Sequence, residues 1–251
     1  MSSNYEEVKK FAEQSLGEMP EVIELLFGID EGSAMEQFQQ NKALYLGRMS
    51  LPLKTRVLIA ISVALANGPR ESAMIHYKLA KRFGIEPLEI LDAIRITKMA
   101  LMSSTLDSVY EMIDVFGELP IEQAESSDVI SILGDLEKKS GMIPDRVKAS
   151  SRFSINLLKE HLREKKAMLT PLKLQNKDVY AIALGVSVSI RDRECQKVYL
   201  KQFLKSGGNR EEVEDILTTA RFLSGNRAFV NGIKILDDLR NQRTGENVPF
   251  K

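Results

Sequence analysis

The sequence predicts an all-α protein that contains two tandem copies of one helical unit. Apolar residues recur three and four positions apart from Tyr5 to the C-terminus, and no convincing segment alternates apolar and polar residues as a strand would. The chain also matches itself at a fixed offset, which is the mark of an internal repeat. With 251 residues and 43% hydrophobic side chains, it is long enough to bury a large core.

The composition excludes several classes of function. The 35 basic and 35 acidic side chains cancel, so no global field favours nucleic acid or an anionic membrane as a partner. A single cysteine cannot close an intrachain disulfide or build a Cys-rich zinc site, which favours a reducing compartment. There is no glycine-rich phosphate loop, no metal-ligand cluster and no apolar stretch of about 18 residues. We therefore predict a cytoplasmic protein that has no cofactor or metal and does not bind a membrane or nucleic acid.

Turn residues delimit the helices. Glycines at 68, 84 and 207–208 end helices, and Pro69 follows the first of them. Segment 170–190 is rich in β-branched residues but is predicted to be helical because its counterpart in the other copy is. The predicted helices span 4–16, 19–28, 33–46, 53–67, 70–83, 86–102, 105–118, 127–139, 148–165, 175–190, 193–206, 209–223 and 226–242.

The internal repeat sets the domain organisation. A shift of 123 residues aligns identical residues in the two copies, among them Lys54 with Lys177, Glu71 with Glu194, Gly84 with Gly207, Glu89 with Glu212 and Asp92 with Asp215. A shift of 124 extends the match upstream, from 17–20 to 141–144. We predict an N-terminal helix over 1–16, a first repeat over 17–116, a connector and helix over 117–140, a second repeat over 141–239 and a C-terminal tail over 240–251.

A motif in the first copy indicates a family. It consists of the Asn67-Gly68 turn, Pro69, His76 seven residues after that proline, Gly84, and Glu89 five residues after Gly84. This succession resembles the carboxymuconolactone decarboxylase family, which includes the alkylhydroperoxidase AhpD, and the resemblance covers both copies. It implies two tandem AhpD-like repeats in an orthogonal helical bundle. It also implies a homo-oligomer, with a trimer favoured and a dimer as the alternative.

In the thiol-dependent branch of this family, one helix carries two cysteines three residues apart and a histidine four residues further on. A glutamate lies on the preceding helix. These spacings place the side chains on one helix face, where a thiolate and an imidazole can exchange a proton. At these positions the first copy has Val57, Pro69, Ser72 and His76, and the second has Tyr180, Asp192, Cys195 and Tyr199. Neither copy has the dithiol, so a peroxidase cycle through an intrachain disulfide is excluded.

The decarboxylase branch is cofactor-free, acts on a lactone acid and has a glutamate four residues before the histidine. Ser72 occupies that position here, and Glu71 lies one residue earlier, about 100° round the helix. The resemblance implies His76, Glu71 and Ser72 as catalytic candidates, with His76 as the general acid or base. The alternatives are a buried structural histidine, and for Glu71 and its counterpart Glu194 a role in stabilising the helix dipole.

The second copy supplies three more candidates. Cys195 lies in the first turn of its helix among basic and acidic neighbours, where its pKa could be lowered, and it is either a nucleophile or an inert core thiol. Tyr180 and Tyr199 either donate hydrogen bonds to a substrate or fill the core. His161 is expected on a solvated helix face without a role in a site.

Three functions follow from these residues. The first is proton transfer or decarboxylation through His76 on a small acidic or lactone substrate. The second is a non-catalytic protein of the same fold that binds a ligand or supports assembly. The third is a one-cysteine hydroperoxide reductase that uses Cys195.

Overall fold

The computed structural model describes residues 2–68 and 70–245, apart from the side chain of Thr244. Over these residues the chain forms α-helices and contains no strand, which confirms the predicted all-α class. The helices are α1 (Ser3–Ser15), α2 (Glu21–Ile29), α3 (Glu31–Gln40), α4 (Leu53–Asn67), α5 (Arg70–Arg82), α6 (Pro87–Ser104), α7 (Val109–Phe116), α8 (Ile121–Ala124), α9 (Ser127–Ser140), α10 (Asp145–Phe153), α11 (Ile155–Leu169), α12 (Asn176–Ser189), α13 (Arg193–Lys205), α14 (Arg210–Asn231) and α15 (Ile233–Thr244). A π-helical turn spans Asn41–Leu46, and a 3-10 turn spans Thr105–Ser108. No helix among the described residues is long and apolar enough to cross a membrane.

Two predicted helix boundaries are wrong. The helix predicted over 148–165 is two helices, because Ser154 has an extended backbone and its Oγ accepts the Leu157 N–H at 3.2 Å as the N-cap of α11. The break predicted near Gly225 is absent, and α14 continues to Asn231. Phe222 and Val230 are buried on either side of that glycine, so tertiary packing outweighs its cost of about 1 kcal/mol.

The helices repeat at the predicted offset. An offset of 123 relates the starts of α4, α5 and α6 to those of α12, α13 and α14, and 124 relates α2 and α3 to α10 and α11. The second offset also relates α1 to α9, so each copy begins with an equivalent helix upstream of the predicted repeat bounds.

The central helices α4 and α12 form the middle of the core. The ten consecutive residues from Thr55 to Ala64 are all buried, so α4 is packed against protein on every side. The two helices approach closely at Gly185, where a Cβ would lie 2.8 Å from Ile59 Cγ2. Thr55 Oγ1 also donates a hydrogen bond of 2.6 Å to Asp178 Oδ1 across this contact.

Two buried carboxylates join the repeats reciprocally. Asp92 on α6 is 1% exposed and accepts the main-chain N–H groups of 172, 173 and 174, which lead into α12. Its counterpart Asp215 on α14 is fully buried and accepts the Leu51 N–H at 2.8 Å, just before α4. Arg95 pairs with Asp92 at 2.8 Å and Arg48 with Asp215 at 2.5 Å. Each repeat therefore positions the central helix of the other.

We expect Asp215→Asn to lower the free energy of unfolding by about 1.5 to 3 kcal/mol, because the buried carboxylate loses its charge-assisted hydrogen bonds to the Leu51 N–H and to the partly exposed Arg48. Urea denaturation of the full chain measures this loss. The control is Glu214→Gln, which removes the exposed carboxylate on the same arginine and is expected to cost about 0.5 kcal/mol or less. Equal losses in the two variants would contradict the anchoring role of Asp215.

Candidate functional site

Helix α5 presents Ser72 and His76 on its buried face. The two residues are one helical turn apart, and they are 4% and 7% exposed. Glu71 lies in the first turn of α5 and is exposed, as its rotation from this face predicts. Pro69 occupies the position of the first of the two cysteines of the thiol-dependent branch, and it lies outside the described residues. Val57, at the glutamate position, is fully buried in the core.

A cavity of about 560 Å³ lies against this face of α5, which is a volume typical of sites for small organic molecules. All three catalytic candidates of the first copy line it. Its other uncharged polar lining residues are Gln37, Asn41, Tyr45 and Asn226. Its apolar lining includes Val22, Met74, Ile75, Leu79, Phe222, Val230 and Ile233. Part of the wall belongs to α14, so the second repeat completes the cavity of the first.

His76 is a buried imidazole beside a phenol. Its Nδ1 lies 3.4 Å from Tyr45 Oη, and the two rings meet edge to face with centroids 5.4 Å apart. Burial lowers the pKa of His76 to about 4, since desolvation disfavours the imidazolium. Burial likewise raises the pKa of Tyr45, which stays a neutral hydrogen-bonding partner. At neutral pH the imidazole is therefore uncharged and can accept a proton from a ligand.

The titration of His76 is the first measurable consequence of this burial. The imidazole Hε1 signal is expected to titrate in NMR spectra with a midpoint near pH 4, against about 6.5 for a free histidine. Because the unfolded state binds the proton first as the pH falls, stability should drop between pH 6.5 and 4, by about 3 kcal/mol for this residue. His76→Asn assigns the signal and should make that part of the stability profile less steep without flattening it, because the pKa of His161 is also lowered to about 4. A midpoint near 6.5 would contradict the buried, neutral state.

An amide pair forms the opposite polar wall. Gln37 Nε2 donates a hydrogen bond of 2.7 Å to Asn226 Oδ1, between helices α3 and α14. Gln37 is 4% exposed, so this bond fixes the orientation of both amides. No sequence pattern predicts the pair, because its members lie 189 residues apart and neither belongs to the motif.

The charged residues of the cavity lie at its mouth. Five lining residues carry charge, and all are exposed: Glu18, Glu21, Arg70, Glu71 and Lys78. Lys78 pairs with Glu18 at 2.8 Å, which ties the segment between α1 and α2 to α5. Arg82, also on α5, donates a hydrogen bond of 2.8 Å to the main-chain carbonyl of Gln14, in the last turn of α1. The helix that carries His76 therefore also holds one wall of the mouth.

In the second repeat, a buried arginine occupies the space that corresponds to the cavity. Arg146 stands where the first repeat has Val22, is 3% exposed and pairs with the buried Asp192 and with Glu194 at 3.0 Å. This pairing gives Glu194 a role that Glu71 does not share. Its guanidinium also donates a hydrogen bond of 2.9 Å to the Ser103 carbonyl. No motif or spacing in the sequence predicts this ion-pair network, because Arg146 lies 46 residues from Asp192 along the chain.

His161 belongs to the same region, and its predicted solvated position is wrong. The side chain is only 5% exposed, because the face of α11 that it shares with the buried Leu158 packs inward. Burial, together with Lys165 and Arg146, lowers its pKa to about 4. His161 is thus a second buried histidine that stays outside the cavity of the first repeat.

The expectation of a lowered thiol pKa at Cys195 is also wrong. Cys195 is 3% exposed, and burial raises its pKa to about 12, which outweighs the cations Lys165 and Arg146. Tyr199 is 1% exposed, and within the described residues its hydroxyl has no partner in hydrogen-bonding geometry. Tyr180 is half-buried against the core. None of these three residues lines the cavity beside His76.

Cys195 is therefore expected to resist alkylation in the folded protein. Iodoacetamide at pH 8 should leave it unmodified over a period in which the urea-unfolded chain reacts completely, because a buried neutral thiol is a poor nucleophile. Mass spectrometry of the intact chain measures both reactions. Similar rates in the folded and unfolded states would contradict the burial.

The comparisons with known proteins agree with this architecture. The model of the carboxymuconolactone decarboxylase family matches twice, over residues 33–109 and 162–238, which together exceed half of the chain. The chain belongs to the carboxymuconolactone decarboxylase family. The two matches also confirm the tandem arrangement.

A crystal structure assigned as a gamma-carboxymuconolactone decarboxylase subunit, from Burkholderia xenovorans LB400, has the same fold with a TM-score of 0.78. The alignment covers 94% of this chain and 97% of that chain, at 14% sequence identity. At this identity the similarity concerns the fold alone. A search of curated proteins found no match.

Proposed function

We propose that this family member binds a small organic molecule in the cavity of the first repeat, and that His76 transfers a proton on that molecule without a cofactor. The observation that carries the proposal is the position of His76 and Ser72 together on the wall of a cavity of about 560 Å³. The family assignment supports chemistry on a small acidic or lactone substrate.

Each lining residue has a separate part in this proposal. The neutral imidazole of His76 accepts or returns the proton, and the Tyr45 hydroxyl beside Nδ1 holds the ring in place. Ser72, one turn away, offers a hydroxyl that can donate to an oxygen atom of the substrate. Glu71 is exposed at the mouth, off the face that carries His76, and takes no part in the proton transfer.

The second candidate is a non-catalytic ligand-binding or assembly protein. It is favoured by one observation: among the described residues no carboxylate is hydrogen-bonded to His76, and only Tyr45 is. A histidine without a carboxylate is less readily protonated. The third candidate, a hydroperoxide reductase that uses Cys195, is disfavoured by the burial and raised pKa of that thiol.

The assembly and location of the chain are part of the proposal. Exposed apolar side chains on α5 and α6 support a homo-oligomer, with a trimer favoured and a dimer as the alternative. They are Met74, Ile75, Leu88, Leu91 and Ile94. The structural neighbour is itself described as a subunit. A cytoplasmic location and the lack of a nucleic-acid or membrane partner stay predictions.

A thermal-shift screen of small carboxylates, lactones and quinone-like acids tests the proposal. A ligand at a hundred times its dissociation constant adds about 2.7 kcal/mol, and each kcal/mol moves the midpoint by about 2 to 4 °C in a chain of this size. A true ligand should therefore raise the midpoint of the wild type by about 5 to 10 °C. His76→Ala should abolish the shift, and Tyr199→Phe, at the equivalent position of the second repeat, should keep it.

His76→Gln separates the two leading candidates once a ligand is found. This variant keeps a polar side chain on the wall but cannot exchange a proton near neutral pH. Turnover that falls at least a hundredfold with little change in binding indicates proton transfer. Binding without turnover in the wild type indicates the non-catalytic protein, and shifts that persist in His76→Ala would contradict the cavity as the site.

A further inference from the structure

The charge distribution of the cavity indicates the class of ligand it takes. We propose that the ligand enters the cavity uncharged, as a neutral ring compound such as a lactone or cyclic ketone, and not as a carboxylate. The inference rests on the proposed function, since it assumes that the cavity beside His76 is the binding site. The proposed function allows a small acid or a lactone as the substrate, and this inference selects the uncharged lactone.

The inner part of the cavity carries no ionised group among the described residues. Its polar lining consists of two side-chain hydroxyls, three amides and one imidazole, contributed by Tyr45, Ser72, Gln37, Asn41, Asn226 and His76. Desolvation is the cause of the lowered pKa of His76, so no charge close to the ring perturbs it. These groups can hydrogen-bond to a carbonyl or ether oxygen, but none of them can neutralise a carboxylate.

Burial of a carboxylate here would therefore be costly. An ionised group taken out of water needs an ion pair or several strong hydrogen bonds, and without them it takes up a proton instead. The nearest group that could become a cation is His76, whose ionisation its own burial already disfavours. A neutral oxygen atom meets no such cost.

The mouth does not attract anions either. Its charged residues are two cations, Arg70 and Lys78, and three carboxylates, Glu18, Glu21 and Glu71. Lys78 is paired with Glu18, which leaves one arginine against two carboxylates. A carboxylate that approaches this mouth meets a small excess of negative charge, whereas a neutral ligand is indifferent to it.

The walls suit a ligand that is mostly apolar. Met74, Phe222, Val230 and Ile233 come to the cavity from three helices, α5, α14 and α15, and the amide pair and His76 supply hydrogen-bonding groups. A ring with an alkyl substituent and one carbonyl fits this pattern, because its carbon atoms are removed from water while its oxygen keeps a partner.

A matched pair of compounds tests the inference. γ-Nonalactone and 4-hydroxynonanoate have the same carbon skeleton, and ring opening converts the first into the second and adds a carboxylate. Calorimetric titration of the full-length protein at pH 7.5 should give a dissociation constant at least tenfold lower for the lactone. The lactone's constant should also change less than twofold between pH 5.5 and 7.5, since neither partner changes its charge.

NMR spectra locate the binding. The chain has two histidines, so the lactone should shift the Hε1 signal of His76 and leave that of His161, in the second repeat, unchanged. Arg70→Gln serves as a second variant. It removes the one mouth cation that has no ion-pair partner among the described residues, and it should change the weak affinity for hydroxynonanoate by less than twofold, because the inference gives the carboxylate no cation to bind.

Two outcomes would overturn the inference and leave the proposed function standing. One is hydroxynonanoate binding at His76 as tightly as the lactone or more tightly at pH 7.5. The other is a loss of more than fivefold in hydroxynonanoate affinity in Arg70→Gln, which would mean that this cation binds the carboxylate. If neither compound shifts the His76 signal at millimolar concentration, the inference fails for this class, and the wider screen then decides whether the cavity binds any ligand.

Discussion

The reciprocal anchoring of the two central helices is the constraint on which the rest of the structure depends. Asp92 holds the main chain that leads into α12, and Asp215 holds the main chain that leads into α4. Each carboxylate is buried and satisfied by main-chain N–H groups and an arginine, so the main chain of one repeat supplies the hydrogen bonds that the other repeat's carboxylate needs. The two repeats therefore form a single structural unit in which neither central helix is positioned by its own repeat alone.

The two repeats share the anchored central helices α4 and α12 but differ in the residues around their motif helices, α5 and α13. The first repeat has Val22 at the position where the second has Arg146, and an aliphatic side chain leaves space that a paired guanidinium fills. Once Arg146 is buried, it needs Asp192 as an ion-pair partner, which links α10 to the N-cap of α13. The same frame thus supports an open cavity on one side and a closed ion-pair network on the other.

The sequence predicted what depends on local pattern. Helical periodicity, the repeat offset and the turn glycines gave the fold class, and the spacing of Ser72 and His76 gave their common face. It did not predict the Gln37–Asn226 pair, because that bond depends on how α3 meets the other repeat. The sequence predicted a lowered pKa for Cys195, whereas burial raises it. Neighbouring charges are visible in a sequence, but the burial that outweighs them arises only from tertiary packing. His161 illustrates the same point, since its face of α11 turns inward.

The unequal lengths of two equivalent helices explain why the second repeat matters to the site of the first. Helix α6 ends at Ser104 and gives way to a 3-10 turn, whereas α14 continues as a regular helix to Asn231. This continuation places Val230 in the wall beside His76, at a position where the shorter α6 has no α-helical equivalent. A single copy of the unit would lack this wall and expose the apolar lining to water. The second repeat, although its own motif positions are buried, is thus needed to enclose the cavity, which gives a physical reason for a chain that contains both copies.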